Sequence, residues 1–162
     1  MKPNSSIQGE LEQQGLFCTL PQMLCRNAGL YPYKVAMGQK KFGIWRNYSW
    51  EDYYNTVKDF SLGLISFGLK SGDRVGIVGD LSPEWFWSEL AIQAAGAIAV
   101  GLFVDAIPSE LGYILDHCEA KFVVARDQEQ VDKILSLKDA LPKLEKVIFW
   151  DPKGLWSYSD PI

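Results

Sequence analysis

His117 and Cys118 are the first residues to test for chemistry, because an imidazole beside a thiol can generate a nucleophilic thiolate. His117 is the only histidine of the chain. On a helix, however, adjacent side chains do not face each other. Cys118 also falls on the apolar stripe of its segment, where a thiol packs as an inert small hydrophobe. The pair reads as packing. Gly72, Gly76 and Gly79 flank an apolar run, but their spacing is neither GxGxxG nor GxxxxGK[ST], the patterns whose backbone amides cradle phosphates. Gly72 reads as a turn residue in SGDR and Gly79 as the exit of a strand.

Asp73, Asp80, Glu84, Asp105 and Glu110 lie near the ends of predicted elements. Asp105 is the one placed just beyond a strand C-terminus, the edge at which open α/β sheets bind ligands. A carboxylate there could contact a ligand or order Mg²⁺, or simply end a strand in solvent. Trp85, Phe86 and Trp87 are consecutive and cannot share one helix face. They predict a helix buried on two sides, or one that meets a further partner. No catalytic, cofactor-binding or metal-binding residue is assigned from these patterns.

The elements that carry these residues alternate regularly. Strand-like runs at Arg74–Val78, Ile98–Phe103, Lys121–Ala125 and Lys146–Trp150 start 24, 23 and 25 residues apart. Helical segments at Pro83–Ala95, Ser109–Cys118 and Gln128–Leu137 lie between them. Such alternation predicts right-handed βαβ units and a mainly parallel sheet. Runs such as FVVA have no polar side, so helices should cover both faces. Upstream, Thr19, Pro21 and Gly29 predict a short helix. Val35–Lys40 and Phe42–Ser49 predict a β-hairpin, free to join the edge of the sheet. Ser49 is a predicted N-cap for a helix with Trp50, Tyr53, Tyr54, Val57, Phe60, Leu64 and Phe67 on its apolar face, closed by Gly68. Ser82 is a predicted cap for the helix opening with Pro83 and Glu84. The fold class is therefore α/β, a layered, mainly parallel sheet with helices on both faces, plus an N-terminal helix and hairpin. Residues 1–18 read as a loose leader and 19–162 as one α/β unit.

Bulk properties narrow the function. The net charge is −4 over 162 residues and no stripe of Lys and Arg occurs, which argues against nucleic acid. Cys18, Cys25 and Cys118 are an odd number at spacings that match no metal or redox motif, which fits a reducing compartment. Glu10 and Glu12 stand where a signal peptide would be apolar. The longest uncharged run, Leu90–Val104, contains Gln93 and two glycines and is shorter than the ~18 residues a membrane span needs. A cytoplasmic location is expected, with peripheral contact at the inner face of the membrane left open for a longer protein.

Three stretches carry a family resemblance. FGIWRNYSWEDYYNTVKDFSLGLISFGLKSGDRVGIVGDLSPEWFWSELA at 42–91 resembles the opening of adenylate-forming enzymes. AIQAAGAIAVGLF at 91–103 resembles their next helix and strand. LGYILDHCEAKFVVARDQEQVDKILSLKDALPKLEKVIFWDPKGL at 111–155 resembles the bacterial long-chain acyl-CoA ligase branch, with DQEQVDK and WDPKGL the most specific strings. VDAIPSE at 104–110 departs from the Thr- or Ser-containing turn of relatives, and Asp80 stands where the family often has Asn.

The resemblance implies an enzyme that activates a long-chain fatty acid with ATP and Mg²⁺ to an acyl-adenylate, then transfers the acyl group to CoA. The family's phosphate loop, adenine motif, ribose-binding Asp and C-terminal Lys have no match here. The expectation is therefore an N-terminal piece ending before the phosphate loop, inactive and binding no cofactor by itself. Its partner is the rest of the parent enzyme, and the isolated piece is expected to self-associate. Two alternatives stay open: a ligase for another carboxylic acid or acceptor, or a stand-alone non-catalytic α/β binding module.

Overall fold

The computed structural model describes residues 19–156 and 158, so the expected leader at 1–18 lies outside the described residues. Helix α1 (Leu20–Leu30) starts at Thr19, whose Oγ1 accepts from the Gln22 amide while Gln22 Oε1 accepts from the Thr19 amide. This reciprocal pair, with Pro21 in the first turn, satisfies orphan donors at the helix start. Strands β1 (Val35–Lys41) and β2 (Ile44–Ser49) follow as an antiparallel hairpin. Lys41 pairs with Ile44, leaving Phe42 and Gly43 as a two-residue turn with φ of 51° and 80°. That turn conformation matches the twist of the strands and suits Gly43 at its second position. Phe42, expected to open the second strand, is instead in the turn.

The hairpin forms its own two-stranded sheet and does not extend the larger one. Ser49 carries the chain directly from β2 into α2 (Trp50–Ser66), and Tyr48 packs edge-on against Trp87, with ring centroids 5.2 Å apart. The hairpin is thereby held against the helix that carries Trp87 without pairing to a strand of the larger sheet. Ser49 Oγ accepts from the Asp52 amide and Asp52 Oδ2 from the Ser49 amide. Bonds from the Ser49 side chain and backbone hold the Asp52 carboxyl below its ordinary pKa.

The second sheet has the order β4-β3-β5-β6, with β3 at Arg74–Val78, β4 at Ile98–Leu102, β5 at Phe122–Ala125 and β6 at Lys146–Phe149. Every pairing is parallel. The crossovers are α3 (Pro83–Ala94), α4 (Pro108–His117) and α5 (Gln128–Leu135), within two residues of the predicted segments. Side-chain alternation splits the core into two layers. Val75, Ile77, Phe122 and Val124 pack with Leu64 of α2 and Leu90 and Ala91 of α3. Val78, Val123 and Ala125 pack with Leu111 and Leu115 of α4 and Val131 and Ile134 of α5. All four residues of β5 are buried, as a strand covered on both faces requires.

Gly76 makes the second layer possible. A Cβ there would sit 2.9 Å from Leu115 Cδ2 and 3.1 Å from Leu102 Cδ1, so the missing side chain is what lets α4 approach β3. The aromatic run on α3 is resolved in the first of the two expected ways. Pro83, Ser88, Leu90, Ala91 and Ile92 are all buried, and the helix touches α1, α2, β3 and β4. Trp85 and Trp87 are half-buried, while Phe86 remains 40% exposed.

Candidate functional site

Parallel register brings the residues just past each strand into rows. Val78 stands opposite Leu102 and Ala125, and Ala125 opposite Phe149. The next residues across the carboxyl edge are therefore Phe103, Gly79, Arg126 and Trp150, followed by Val104, Asp80, Asp127 and Asp151. Strand β3 turns toward the layer of α3, whereas β4 and β5 turn toward the opposite layer of α4 and α5. The chain thus diverges on both sides of the β3 terminus, the geometry that opens ligand crevices in α/β sheets.

Arg126 is the centre of this edge. Its guanidinium pairs with Asp80, and its Nε lies 3.2 Å from Asp127 Oδ2 in a second ion pair. The Asp127 side chain also caps α5 by accepting from the Gln130 amide. Two carboxylates thus occupy the guanidinium, leaving little of its charge for an anion. Trp150 lies across Gly79, where a Cβ would come within 2.6 Å of the indole ring. Gly79 stands at the exit of β3 as expected, and it also leaves space for Trp150 and for Arg126 Cβ, which an added Cβ would meet at 2.8 Å.

Three cavities open along the edge. A polar one of about 460 Å³ is walled by Gln39, Lys41, Asp80, Ser82, Arg126 and Asp151, among others. Ser82 sits at the N-cap position of α3, but its side chain makes no capping bond and its buried Oγ has no protein partner. The cap expected there is present in position and absent in bonding. A second cavity of about 410 Å³ is apolar, formed by Leu81, Trp85, Gly101 and Phe103. A third, of about 740 Å³, is lined by Phe103, Asp105, Ser109, Glu110 and Tyr113.

The candidate residues are dispersed by the fold. Asp105 and Glu110 share the cavity of about 740 Å³, but Glu110 Oε2 is used by the Ile107 amide at 3.2 Å as an N-terminal brace for α4. Asp73 is at the other end of the sheet, bonded to the Lys70 amide and to Lys121 Nζ at 3.0 Å. Desolvation pushes its carboxyl up, but these two partners outweigh it and hold the group below the ordinary carboxylate pKa. Gly72 is likewise remote, in the turn before β3 with φ of 84°. His117 stacks on Tyr113 at 5.7 Å, whereas Cys118 Sγ is directed to the Leu115 carbonyl. Burial raises the Cys118 thiol above its ordinary pKa, the wrong direction for a nucleophile.

Among the described residues, no group of three or more His, Cys, Asp or Glu side chains is placed to hold a metal ion. Asp80 and Asp127 are both engaged by Arg126. No described helix is long and apolar enough to cross a membrane. Sequence reasoning missed Arg126 and Trp150. The signal was present in register: once β3 and β5 are neighbours, Arg126 must lie beside Gly79 and Asp80.

Residues 24–159 match the family described as AMP-binding enzyme. The chain belongs to that family. It is 32% identical over 130 residues to the long-chain-fatty-acid–CoA ligase ACSBG2 of Xenopus laevis, covering 80% of this chain and 18% of that protein. It is 33% identical over 139 residues to the long-chain-fatty-acid–CoA ligase ACSBG1 of Rattus norvegicus, covering 83% and 19%. The chain thus spans about a fifth of the length of these family members, which are animal proteins. Among solved structures it resembles the anthranilate CoA ligase AuaEII in complex with anthranoyl-AMP, with a TM-score of 0.77 at 28% identity over 86% of this chain and 26% of that one. Acetoacetyl-CoA synthetase from Streptomyces lividans gives a TM-score of 0.78 at 19% identity over 88% and 23%, a likeness of fold alone.

Proposed function

We propose that this chain is the N-terminal α/β scaffold of a ligase that activates long-chain fatty acids with ATP and transfers them to CoA, and that residues 19–162 end before the phosphate loop. The observation that carries the reading is the 32–33% identity to long-chain-fatty-acid–CoA ligases over four-fifths of the chain. The site chemistry agrees with it. Acyl-adenylate formation needs preorganised donors and cations aimed at the charge that develops on the transferring phosphate. At the carboxyl edge, Arg126 is neutralised by Asp80 and Asp127, and the neighbouring cavities are walled by Leu81, Trp85 and Phe103. Such an edge supports other parts of a protein better than it stabilises a phosphoryl group. The scaffold is proposed to act in the cytoplasm, as part of the larger enzyme.

Isothermal titration of the purified chain with Mg·ATP, with and without palmitate, tests the reading. No saturable heat is expected at millimolar nucleotide, and tight binding would overturn the scaffold assignment. The resemblance to the anthranilate CoA ligase supports a second reading, in which the parent enzyme takes an aryl acid. A panel of fatty and aryl acids offered to the complete enzyme separates the two.

A further inference from the structure

We infer that the segment after β6, helix α5 and the turn after β4 open and close as one unit, with Tyr158 and Lys133 as its two fastenings. The inference rests on packing alone and stands apart from the ligase reading. Beyond Asp151 the chain leaves the sheet and lies over α5 as a strap, described at Pro152–Trp156 and Tyr158. Leu155 is 7% exposed and joins the apolar layer that holds Val131 and Ile134 of α5. The backbone at Gly154 runs so close to α5 that a Cβ there would stand 2.8 Å from Gln128 Cδ. Tyr158 fastens the end of the strap. Its hydroxyl donates to Asp132 Oδ1 at 2.5 Å and accepts from Gln128 Nε2 at 3.0 Å. Gln128 and Asp132 are one turn apart on the same side of the helix, so a single phenol grips both.

The neighbouring row of α5 holds a different part of the chain. Glu129 and Lys133 pair at 2.9 Å, and Lys133 Nζ donates to the Val104 carbonyl at 3.1 Å. Val104 belongs to the turn after β4, which is closed by the bond from the Ala106 amide to the Phe103 carbonyl. Phe103, Val104 and Ala106 also wall the cavity of about 740 Å³. Strap and turn are thus attached to one helix of eight residues. A helix that short does not persist without tertiary contacts. It is held on one side by the burial of Val131 and Ile134 and on the other by these two fastenings. Loosening either fastening therefore raises the opening of the whole helix, and with it the release of the other. Cooperative local units of this kind form the low-stability end of a fold. Such coupling is reciprocal, so weakening the strap loosens the turn and weakening the turn loosens the strap by the same factor. The order of this cavity wall then depends on a tyrosine in a distant segment.

Native-state amide hydrogen exchange of the full 162-residue chain, read residue by residue by NMR, tests this. Three amides report on the unit: Leu155 in the strap, bonded to the Pro152 carbonyl; Val131 in α5, bonded to Asp127; and Ala106 in the turn. Tyr158→Phe keeps the ring and removes the donor to Asp132. All three amides are expected to exchange roughly tenfold faster, as the loss of a hydrogen bond to a charged acceptor implies. The Ala95 amide at the end of α3, bonded to Ala91, should keep its wild-type rate. Lys133→Met is expected to give the same pattern, Leu155 included. Thermal melts followed by circular dichroism verify that each variant folds, and Asp132→Ala replaces Tyr158→Phe if that variant does not. Unchanged exchange, an effect of Tyr158→Phe confined to the strap, an effect of Lys133→Met confined to the turn, or an equal acceleration at Ala95 would each overturn the inference.

Discussion

Gly76 and Leu115 offer a direct probe of how the sheet holds its helices. In Gly76→Ala the new methyl would stand 2.9 Å from Leu115 Cδ2, 3.1 Å from Leu102 Cδ1 and 3.4 Å from Val123 Cγ2. Comfortable carbon–carbon contacts are about 3.5–4.0 Å, so α4 must give way or Leu115 must leave its rotamer. Overpacking of this kind costs about 1–3 kcal/mol. Leu115→Ala acts in the opposite sense. The side chain is 1% exposed, and emptying such a site costs about 2–5 kcal/mol. Combined, the two substitutions should partly cancel, because the methyl added at position 76 enters the space vacated by the leucine. The double variant is expected to be more stable than the sum of the singles by about 1–3 kcal/mol, as contacting residues allow. Urea unfolding followed by tryptophan fluorescence measures all four states of the cycle. Additivity within about 0.5 kcal/mol would refute the packing argument.

Two further outcomes follow from the remaining clusters. Lys121 bonds the Gly68 carbonyl at 2.8 Å and Asp73 at 3.0 Å with its side chain only 17% exposed, so Lys121→Met should cost about 1–3 kcal/mol in urea unfolding by removing a charged donor from both acceptors. Because the Asp73 carboxyl is held below its ordinary pKa, its contribution is full above the unfolded value and is lost as pH falls through the folded one. The stability gap between wild type and Asp73→Asn should accordingly be wider at pH 7 than at pH 3. Cys118 should be alkylated by iodoacetamide at pH 8 more slowly than the exposed Cys25, read by peptide mass spectrometry, since burial raises its thiol. Faster reaction at Cys118 would revive the thiol–imidazole pair.

Much of the fold was legible in the sequence because its signals are local. Ser49 followed by Asp52, Pro83 after Ser82, and the fully apolar FVVA each act within a few residues, and the elements they predict form within two residues of their expected ends. The pairing of strands depends on distant partners, and there the reading was weaker. The hairpin was free to join the sheet until Tyr48 was found against Trp87, a contact across 39 residues that no periodicity encodes. Ser82 shows a subtler limit. Its residue type and position fit a cap, yet the hydroxyl's bond is decided by three-dimensional surroundings. The candidate edge was only half legible for the same reason. Asp80 and Asp105 could be placed at strand termini, whereas Arg126 became visible as a neighbour of Asp80 only once β3 and β5 were known to be adjacent.

A coupled pyrophosphate-release assay tests the central claim most directly. The purified chain is supplied with ATP, Mg²⁺, palmitate and CoA, after contaminating ligase has been excluded. A scaffold whose chemistry resides elsewhere in the enzyme should release no pyrophosphate above the protein-free rate. Reproducible palmitate-dependent turnover, abolished by Asp105→Asn or Arg126→Ala, would contradict the account and make the carboxyl edge itself an active site.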